Sequence, residues 1–240
     1  MKLATHTVVG FPNLKTSEKI VELLAAHSQI VELQIPFSDP VADGPVITSA
    51  NAVALGQKVT PQKCIDFAAK FTKKFPATEF FLMSYFNPLL QFGLAKFAAA
   101  AQKAGVRGFV IPDLPIEEAK ELLKICRKNK LELVFVVAPN TPDERIRKIS
   151  AAKSGWIYAT ARLGITGAKT EIDSNLKKFL TRIRKFSQAE IGVGFGVKNS
   201  ADIQKIETAG GDIGIVGSEL FRQFENGGLK KLEKFLANLA

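Results

Sequence analysis

A glutamate within an apolar, strand-like run is the first residue whose surroundings suggest chemistry. Alternation along such a strand would place Glu32 and Gln34 on one face and Val31, Leu33 and Ile35 on the other. If the apolar face packs against helices, Glu32 points into the interior, where a carboxylate is costly to bury unless it is paired. The strand-like runs supply no inward Lys or Arg to pair with it. We therefore predict an acid/base role for Glu32.

A second carboxylate, Asp43, follows in a loop that is punctuated by three prolines and by Gly44. These residues restrict the backbone enough to hold Asp43 over the same end of the strand as Glu32. A turn-stabilising Asp before Gly is the alternative interpretation of Asp43. Asp39, which precedes a proline in the same loop, is interpreted as a turn residue.

Glycine-bearing segments later in the chain suggest an anion site. They are 162–167, Gly194–Gly196 and Gly217–Ser218, and each follows a strand-like run. Glycines let backbone N–H groups approach an anion closely, and Gly217–Ser218 opens a helix whose N-terminus favours negative charge. Many barrels build a phosphate site from their last loops in this way. We therefore predict a phosphorylated substrate.

The elements that must position these residues alternate along the whole chain. Apolar runs of strand length alternate with segments in which apolar residues recur at helical spacing. Helix starts are predicted at Thr60–Pro61, Thr141–Pro142 and Asn199–Ser200, each from a capping side chain. The predicted strands are His6–Val9, Ile30–Leu33, Glu79–Met83, Gly108–Ile111, Leu131–Val137, Gly155–Ala159, Ile191–Gly194 and Asp212–Val216.

Eight strand–helix units within 240 residues predict a single-domain α/β protein with the (β/α)₈ TIM-barrel fold. Continuous apolar strands joined by helices require a parallel sheet that helices cover. An open doubly wound sheet is the alternative, but the turn after the first strand lacks the glycine pattern of dinucleotide-binding folds. No linker divides the chain, so we predict one domain over residues 1–240.

The composition narrows the classes of function. A net charge of +10 is compatible with nucleic-acid binding, but the lysines are scattered along helices without interleaved aromatic residues, which favours solvated helix faces. Cys64 and Cys126 are isolated, so we predict neither a disulfide nor a metal site. His6 and His27 are interpreted as structural residues. No signal peptide or membrane span is recognisable, and a cytoplasmic location is expected.

Several of these segments together resemble one family. The run Val-Glu-Leu-Gln-Ile-Pro-Phe-Ser-Asp-Pro-Val-Ala-Asp-Gly-Pro at 31–45 resembles the signature of the tryptophan synthase alpha chain family. Tyr158, the segment 162–167, Gly194–Gly196 and Val216–Ser218 resemble further family segments in the same order. The resemblance implies cleavage of indole-3-glycerol phosphate to indole and glyceraldehyde 3-phosphate, a lyase reaction of tryptophan biosynthesis that needs no cofactor of its own.

The resemblance also implies roles for individual residues. Glu32 would be the acid/base residue, and Asp43 would accept a hydrogen bond from the indole N–H. A β chain, which carries its own pyridoxal phosphate, would receive the indole in an α₂β₂ complex and would contact Asp113 and the loop that ends at Gly44. The residues implied in substrate binding are Tyr158, Thr166, Gly167, Phe195, Gly196, Gly217 and Ser218.

Two departures from the family pattern bear on activity and stability. Gln34 stands where the family usually has glycine, and its amide would either crowd the pocket or bond a catalytic carboxylate. The sequence begins almost at the first strand, so the short N-terminal helix that covers the barrel bottom in the family is expected to be missing.

Other phosphate-binding barrel enzymes would need a catalytic Lys or a metal cluster. A non-productive barrel that activates a β chain remains an alternative because of Gln34.

Overall fold

The computed structural model describes residues 1–160, 174–194 and 196–239. Within these residues, eight parallel strands form a closed barrel in which each strand pairs with the next and the last pairs with the first. This confirms the predicted (β/α)₈ fold. The strands are β1 Lys2–Val8, β2 Ile30–Gln34, β3 Glu79–Met83, β4 Gly108–Val110, β5 Glu132–Val137, β6 Ile157–Thr160, β7 Ile191–Gly194 and β8 Ile213–Val216.

Helices follow each strand and cover the outside of the barrel. In the described residues they are α1 Leu14–His27, α2 Pro45–Gly56, α3 Pro61–Lys74, α4 Phe86–Phe92, α5 Leu94–Lys103, α6 Lys120–Lys128, α7 Asp143–Ala152, α8 Ser174–Arg184, α9 Ser200–Ala209, α10 Ser218–Glu225 and α11 Gly228–Ala237. None of these helices combines the length and apolar character that crossing a bilayer requires.

Two of the three predicted helix starts are correct. Thr60 accepts a hydrogen bond from the N–H of Lys63, and Asn199 accepts one from Asp202. The predicted cap at Thr141 is wrong. Its hydroxyl accepts the N–H of Ala138 within the loop, and α7 begins at Asp143, after Pro142 rather than at it. A local competitor for the hydroxyl therefore displaced the cap.

The core has two layers, which follow from the two faces of the strands. Outward side chains such as Val31, Leu33 and Phe80 pack beneath the helices. The inward layer fills the barrel and includes Ala4, Ile30, Phe81, Met83, Tyr85, Val110, Val134, Trp156, Ile213 and Ile215. The barrel is therefore a packed core, and chemistry is confined to its ends.

Two inward positions on β7 are glycines because bulky rings at the start of β6 and just before it occupy their space. A Cβ on Gly192 would come within 2.5 Å of a ring carbon of Trp156, and one on Gly194 would collide with the Tyr158 hydroxyl. The two rings stack, with centroids 5.7 Å apart. The glycines of β7 thus admit the aromatic wall of the barrel interior.

Candidate active site

Glu32 and Gln34 face the barrel interior, as strand alternation predicts, whereas Val31, Leu33 and Ile35 lie in the outer core. The side chains of Glu32 and Gln34 are both buried, and Glu32 keeps only 2% of its surface exposed. Gln34 ends β2, so this pair lies where the strands deliver residues to the mouth of the barrel.

His6 is the partner of Glu32, which corrects the interpretation that Glu32 has no inward basic neighbour. The β1–β2 register sets His6 opposite Glu32, and the Nδ1 atom of His6 lies 3.2 Å from Oε2 of Glu32. Its Nε2 atom lies 2.9 Å from Oε1 of Gln34. The absence of an inward Lys or Arg therefore did not leave Glu32 unpaired.

The charge state of His6 depends on these neighbours. Burial by itself lowers the pKa of His6, but the hydrogen bond to Glu32 and the negative charges of Glu32 and Asp43 outweigh burial. The net result is a raised pKa, which favours the imidazolium form. His6 thus supplies the positive charge that the two carboxylates need in a buried place.

Asp43 is held over the same mouth by two side chains. Its Oδ2 atom accepts hydrogen bonds from Nε2 of Gln34 at 2.7 Å and from the hydroxyl of Tyr85 at 3.0 Å. Burial raises the pKa of Asp43, and the charge of His6 and these two hydrogen bonds oppose the rise. Asp43 is thus part of the buried site and not merely a turn residue before glycine.

The other acidic residue of the loop behaves as the sequence predicted. Asp39 is exposed, and its side chain accepts the hydroxyl of Ser38 at 2.5 Å. Its backbone carbonyl accepts the N–H of Val41. Asp39 is therefore a turn residue, and the loop turns there so that Asp43 reaches the interior.

Tyr85 and Asn51 are site residues that the sequence analysis missed. The hydroxyl of Tyr85 accepts the N–H of Ala42 at 3.1 Å while it donates to Asp43. The side-chain oxygen of Asn51, on α2, accepts the N–H of Phe37 at 3.0 Å. Both residues clamp the loop from outside β2, and neither belongs to a local pattern that indicates this contact.

One oxygen of Glu32 remains available. Among the described residues, four buried polar side-chain atoms have no hydrogen-bond partner, and Oε1 of Glu32 is the only carboxylate oxygen among them. A buried acceptor without a partner is costly, and in an enzyme it commonly awaits a reacting group or a water molecule. Oε1 is therefore the atom of Glu32 that can reach a substrate.

Tyr158 lies on β6 within reach of both carboxylates. Burial raises its pKa well above the ordinary value, and the charges of Glu32 and Asp43 raise it further. A phenol in this environment stays protonated. The structure thus brings Tyr158 to the predicted place, near Glu32.

The predicted phosphate-binding residues are only partly described. Gly196, which has a φ of 100°, follows β7, and Gly217 and Ser218 join β8 to α10. A Cβ on Gly217 would lie 3.9 Å from the Cβ of His6, so the end of β8 adjoins the carboxylate cluster. Thr166, Gly167 and Phe195 lie outside the described residues.

Other reactive groups lie away from the mouth. Cys64 and Cys126 are free and buried, and burial raises the pKa of Cys126 to about 12. Such thiols are poor nucleophiles at neutral pH. In the part of the chain that the structure describes, no group of three or more His, Cys, Asp or Glu side chains is arranged to hold a metal ion.

The basic charge is consistent with solvated helix faces. Lys70 and Lys74 on α3 form ion pairs with Glu18 and Glu22 on α1, at 2.7 and 2.6 Å. These pairs are largely exposed to solvent. They neutralise part of the lysine charge along neighbouring helices and give no indication of a nucleic-acid groove.

A closed (β/α)₈ barrel with two buried carboxylates at the carboxyl ends of its strands defines a barrel enzyme with acid/base chemistry at its mouth. Comparison with known proteins identifies which one. The family model described as "Tryptophan synthase alpha chain" matches residues 1–239. The chain therefore belongs to the tryptophan synthase alpha chain family, lyases that cleave indole-3-glycerol phosphate in tryptophan biosynthesis.

Individual relatives agree with this assignment. The tryptophan synthase alpha chain of Syntrophotalea carbinolica is 40% identical over 238 residues, which cover 99% of this chain and 93% of the relative. That of Methanocaldococcus jannaschii is 41% identical over 233 residues, covering 95% and 83%. A chain in a structure of the tryptophan synthase a2b2 complex from Pyrococcus furiosus superposes with a TM-score of 0.91 at 31% identity. The match covers 99% of this chain and 97% of the Pyrococcus furiosus chain.

Proposed function

We propose that this chain cleaves indole-3-glycerol phosphate by a retro-aldol reaction in which Glu32 moves protons and Asp43 stabilises charge. The observation that carries the proposal is the arrangement of Glu32. Its Oε2 atom is held by His6, whereas its buried Oε1 atom has no partner among the described residues. A carboxylate prepared in this way can exchange protons with a substrate at one defined oxygen.

Proton movements at two substrate atoms account for the cleavage. Protonation of indole C3 by Glu32 converts the ring into an indoleninium ion, so that no indole carbanion has to leave. Removal of the proton from the C3′ hydroxyl lets its oxygen form the aldehyde. The electrons of the broken C3–C3′ bond then return to the ring and neutralise the iminium. The proton that Glu32 takes from the hydroxyl is the one that it gives to C3, so the enzyme ends the cycle unchanged.

Asp43 would act on the charge that this protonation creates. An ionised Asp43 beside the indole nitrogen accepts a hydrogen bond from its N–H and becomes more strongly bound as positive charge develops. Gln34 and Tyr85 already hold Oδ2 of Asp43 in place. The carboxylate therefore needs no reorganisation during the reaction.

The ends of β7 and β8 would hold the phosphate. Gly196, Gly217 and Ser218 lie there, and the first amides of α10 have no partners within the helix and favour an anion. Thr166, Gly167 and Phe195 are proposed to complete this site around the substrate. Tyr158 would line the pocket beside Glu32, where its protonated hydroxyl can donate a hydrogen bond.

A β chain is the proposed partner. A neighbouring structure is that of an a2b2 complex, and the present chain covers 97% of the matched subunit. Asp113, whose carboxylate accepts the N–H of Phe86 at the start of α4, and the loop between Pro36 and Gly44 are proposed to face that partner. Pyridoxal phosphate would belong to the β chain alone, and the assembly would work in the cytoplasm.

Indole release from indole-3-glycerol phosphate tests the proposal. The purified chain and its Glu32→Gln variant are each assayed with and without a β chain. We expect cleavage that the partner stimulates and that the substitution lowers by about 100- to 10,000-fold, the usual contribution of a positioned acid/base group. Equal rates for the two chains would contradict the role of Glu32.

Gln34 supports a second candidate function, in which the chain binds and activates a β chain without cleaving the substrate. Nε2 of Gln34 already donates to Asp43 at 2.7 Å and could stand in for the indole N–H. The Gln34→Gly variant separates the two functions. It should acquire cleavage activity if Gln34 blocks the site, and it should lose activity if Gln34 supports the site.

A further inference from the structure

A continuous chain of hydrogen bonds joins the two carboxylates. It runs from Oε2 of Glu32 to Nδ1 of His6 at 3.2 Å, from Nε2 of His6 to Oε1 of Gln34 at 2.9 Å, and from Nε2 of Gln34 to Oδ2 of Asp43 at 2.7 Å. All four side chains are buried. The two carboxylates are thus connected by hydrogen bonds between side-chain atoms and not by way of solvent.

The contacts of Asp43 determine which atom donates in each bond of this chain of hydrogen bonds. Tyr85 receives the N–H of Ala42 on its hydroxyl oxygen and gives its one hydroxyl proton to Oδ2 of Asp43. Oδ2 is therefore an acceptor, and Gln34 must present its NH₂ group to it. The carbonyl of Gln34 then faces His6 and can only accept, so Nε2 of His6 must carry a hydrogen.

The direction of these hydrogen bonds limits where the proton shared by His6 and Glu32 can lie. With Nε2 of His6 protonated, one further proton lies between Nδ1 of His6 and Oε2 of Glu32. It gives either an imidazolium beside a carboxylate or an imidazole beside a carboxylic acid. In both states Oε2 is engaged and Oε1 carries no proton, so Oε1 meets the substrate as a base that takes the proton of the C3′ hydroxyl and passes it to indole C3.

We propose that His6 is a positioning residue for Glu32 and that Gln34 fixes the tautomer of His6. His6 holds Oε2 of Glu32 and so directs Oε1 at the reacting atoms. Gln34 keeps the hydrogen of His6 on Nε2 and links this arrangement to Asp43. The catalytic consequence rests on the proposed function, whereas the hydrogen-bond arrangement exists in the resting chain.

The surroundings of His6 suit this role. Glu32 on β2 and Asp43 in the following loop are the charged groups that act on it, and α10 faces it with the apolar ring of Phe221, whose centroid is 6.1 Å away. Both carboxylates raise the pKa of His6, although burial opposes them. The imidazolium therefore persists at higher pH than that of an exposed histidine.

Gln34 has two partners in this arrangement, His6 and Asp43. A glycine at position 34 would have no side-chain carbonyl to accept from His6 and no side-chain amide to donate to Asp43. A glycine here would leave Nε2 of His6 without its present partner. Gln34 thus serves Nε2 of His6 and Oδ2 of Asp43 at the same time.

Nuclear magnetic resonance of the resting chain tests the arrangement without any turnover. The sequence has only two histidines, so nitrogen-15 labelling of histidine gives two sets of signals, and a His27→Gln variant assigns them. We expect Nε2 of His6 to stay protonated through neutral pH, and His6 to titrate above the ordinary histidine pKa of 6.5. The Gln34→Met variant should lower the titration midpoint of His6. An unprotonated Nε2, or shifts and a midpoint unaffected by Gln34→Met, would overturn the assignment.

Kinetics of two His6 variants test the positioning role. The amide nitrogen of His6→Asn can replace Nδ1 as a donor to Glu32, whereas His6→Leu cannot. We expect His6→Leu to lose about 100-fold in kcat with little change in KM, since misplacing a reactive group has such an effect. In the wild type we expect kcat/KM to decline at alkaline pH as His6 loses its proton. His6→Asn should retain most of kcat and lack this decline.

Equal kcat values for these two folded variants, or an alkaline decline that persists in His6→Asn, would overturn the positioning role. Absence of indole release from the wild-type chain would instead contradict the proposed function. The nuclear magnetic resonance result would stand in that case, so the two failures can be distinguished.

Discussion

Both ends of the barrel carry charged side chains, but these are exposed at one end and buried at the other. At the amino ends of the strands, Lys2 pairs with Glu190 at 2.8 Å, and Arg107 bridges Glu79 and Glu132 at 3.5 and 2.5 Å. Lys2 and Glu190 remain 43% and 46% exposed. Such pairs gain little from each other because water screens them.

At the carboxyl ends the charges are buried and linked. Glu32 keeps a partnerless oxygen within the described structure, and Asp43 has a raised pKa because of burial. Charges in such a place weaken the fold unless they are compensated, which His6 and Gln34 do only in part. The comparison indicates that the mouth is arranged for chemistry and the opposite end for solubility.

Two aspartates of one loop provide the largest expected difference. Asp43→Asn should lower kcat by about 100- to 1,000-fold, the usual effect of removing one charge-stabilising group. Asp39→Asn is the matched control and should leave indole release unchanged when no β chain is present, because Asp39 is exposed and bonds within its turn. Comparable losses in the two variants would mean that the loop, and not the Asp43 carboxylate, matters.

The glycine at the end of β7 should tolerate no side chain. A Cβ at Gly194 would collide with the hydroxyl of Tyr158, so Gly194→Ala should cost about 1–3 kcal/mol of unfolding free energy, as overpacking of a core does. Chemical denaturation measures this difference. In a Tyr158→Ala background, which lacks both the colliding hydroxyl and the ring carbons, Gly194→Ala should cost less, and an undiminished cost would place the strain elsewhere.

The pH dependence of stability should reveal His6. Because the folded protein raises its pKa above the ordinary 6.5, the stabilising contribution of His6 is complete below that value and is lost as pH rises through the folded pKa. The difference in unfolding free energy between wild type and His6→Asn should therefore be constant below about pH 6.5, the ordinary histidine pKa, and shrink as the pH rises above it. A constant difference would show that the pKa of His6 is not raised.

The smallest effect is expected at the opposite end of the barrel. Glu190→Gln breaks the exposed pair with Lys2 and should change the unfolding free energy by less than about 1 kcal/mol. Its kcat should equal that of the wild type. A substantial loss of activity would show that the two ends are energetically coupled.

Much of this arrangement follows from local sequence patterns. Alternation in β2 predicts the inward positions of Glu32 and Gln34, and the repeated strand–helix pattern predicts the barrel itself. The turn at Asp39 is predicted equally well, because prolines and small polar side chains determine turns locally. These predictions depend only on residues that are close in the chain.

The partners of the carboxylates could not be predicted in the same way. His6 meets Glu32 because of the β1–β2 register, and a histidine in a strand carries no local sign of its neighbour. Tyr85 reaches Asp43 from beyond the end of β3. Inward alternation of β1 would have marked His6 as a candidate, but only the register joins it to Glu32.

A double-mutant cycle on kcat tests most directly whether the mouth is one coupled site. Indole release is measured for wild type, Glu32→Gln, Asp43→Asn and the variant with both substitutions. If both carboxylates serve the same protonation of the indole ring, the double variant should be scarcely slower than Glu32→Gln alone. A loss equal to the product of the two single losses would contradict a coupled site.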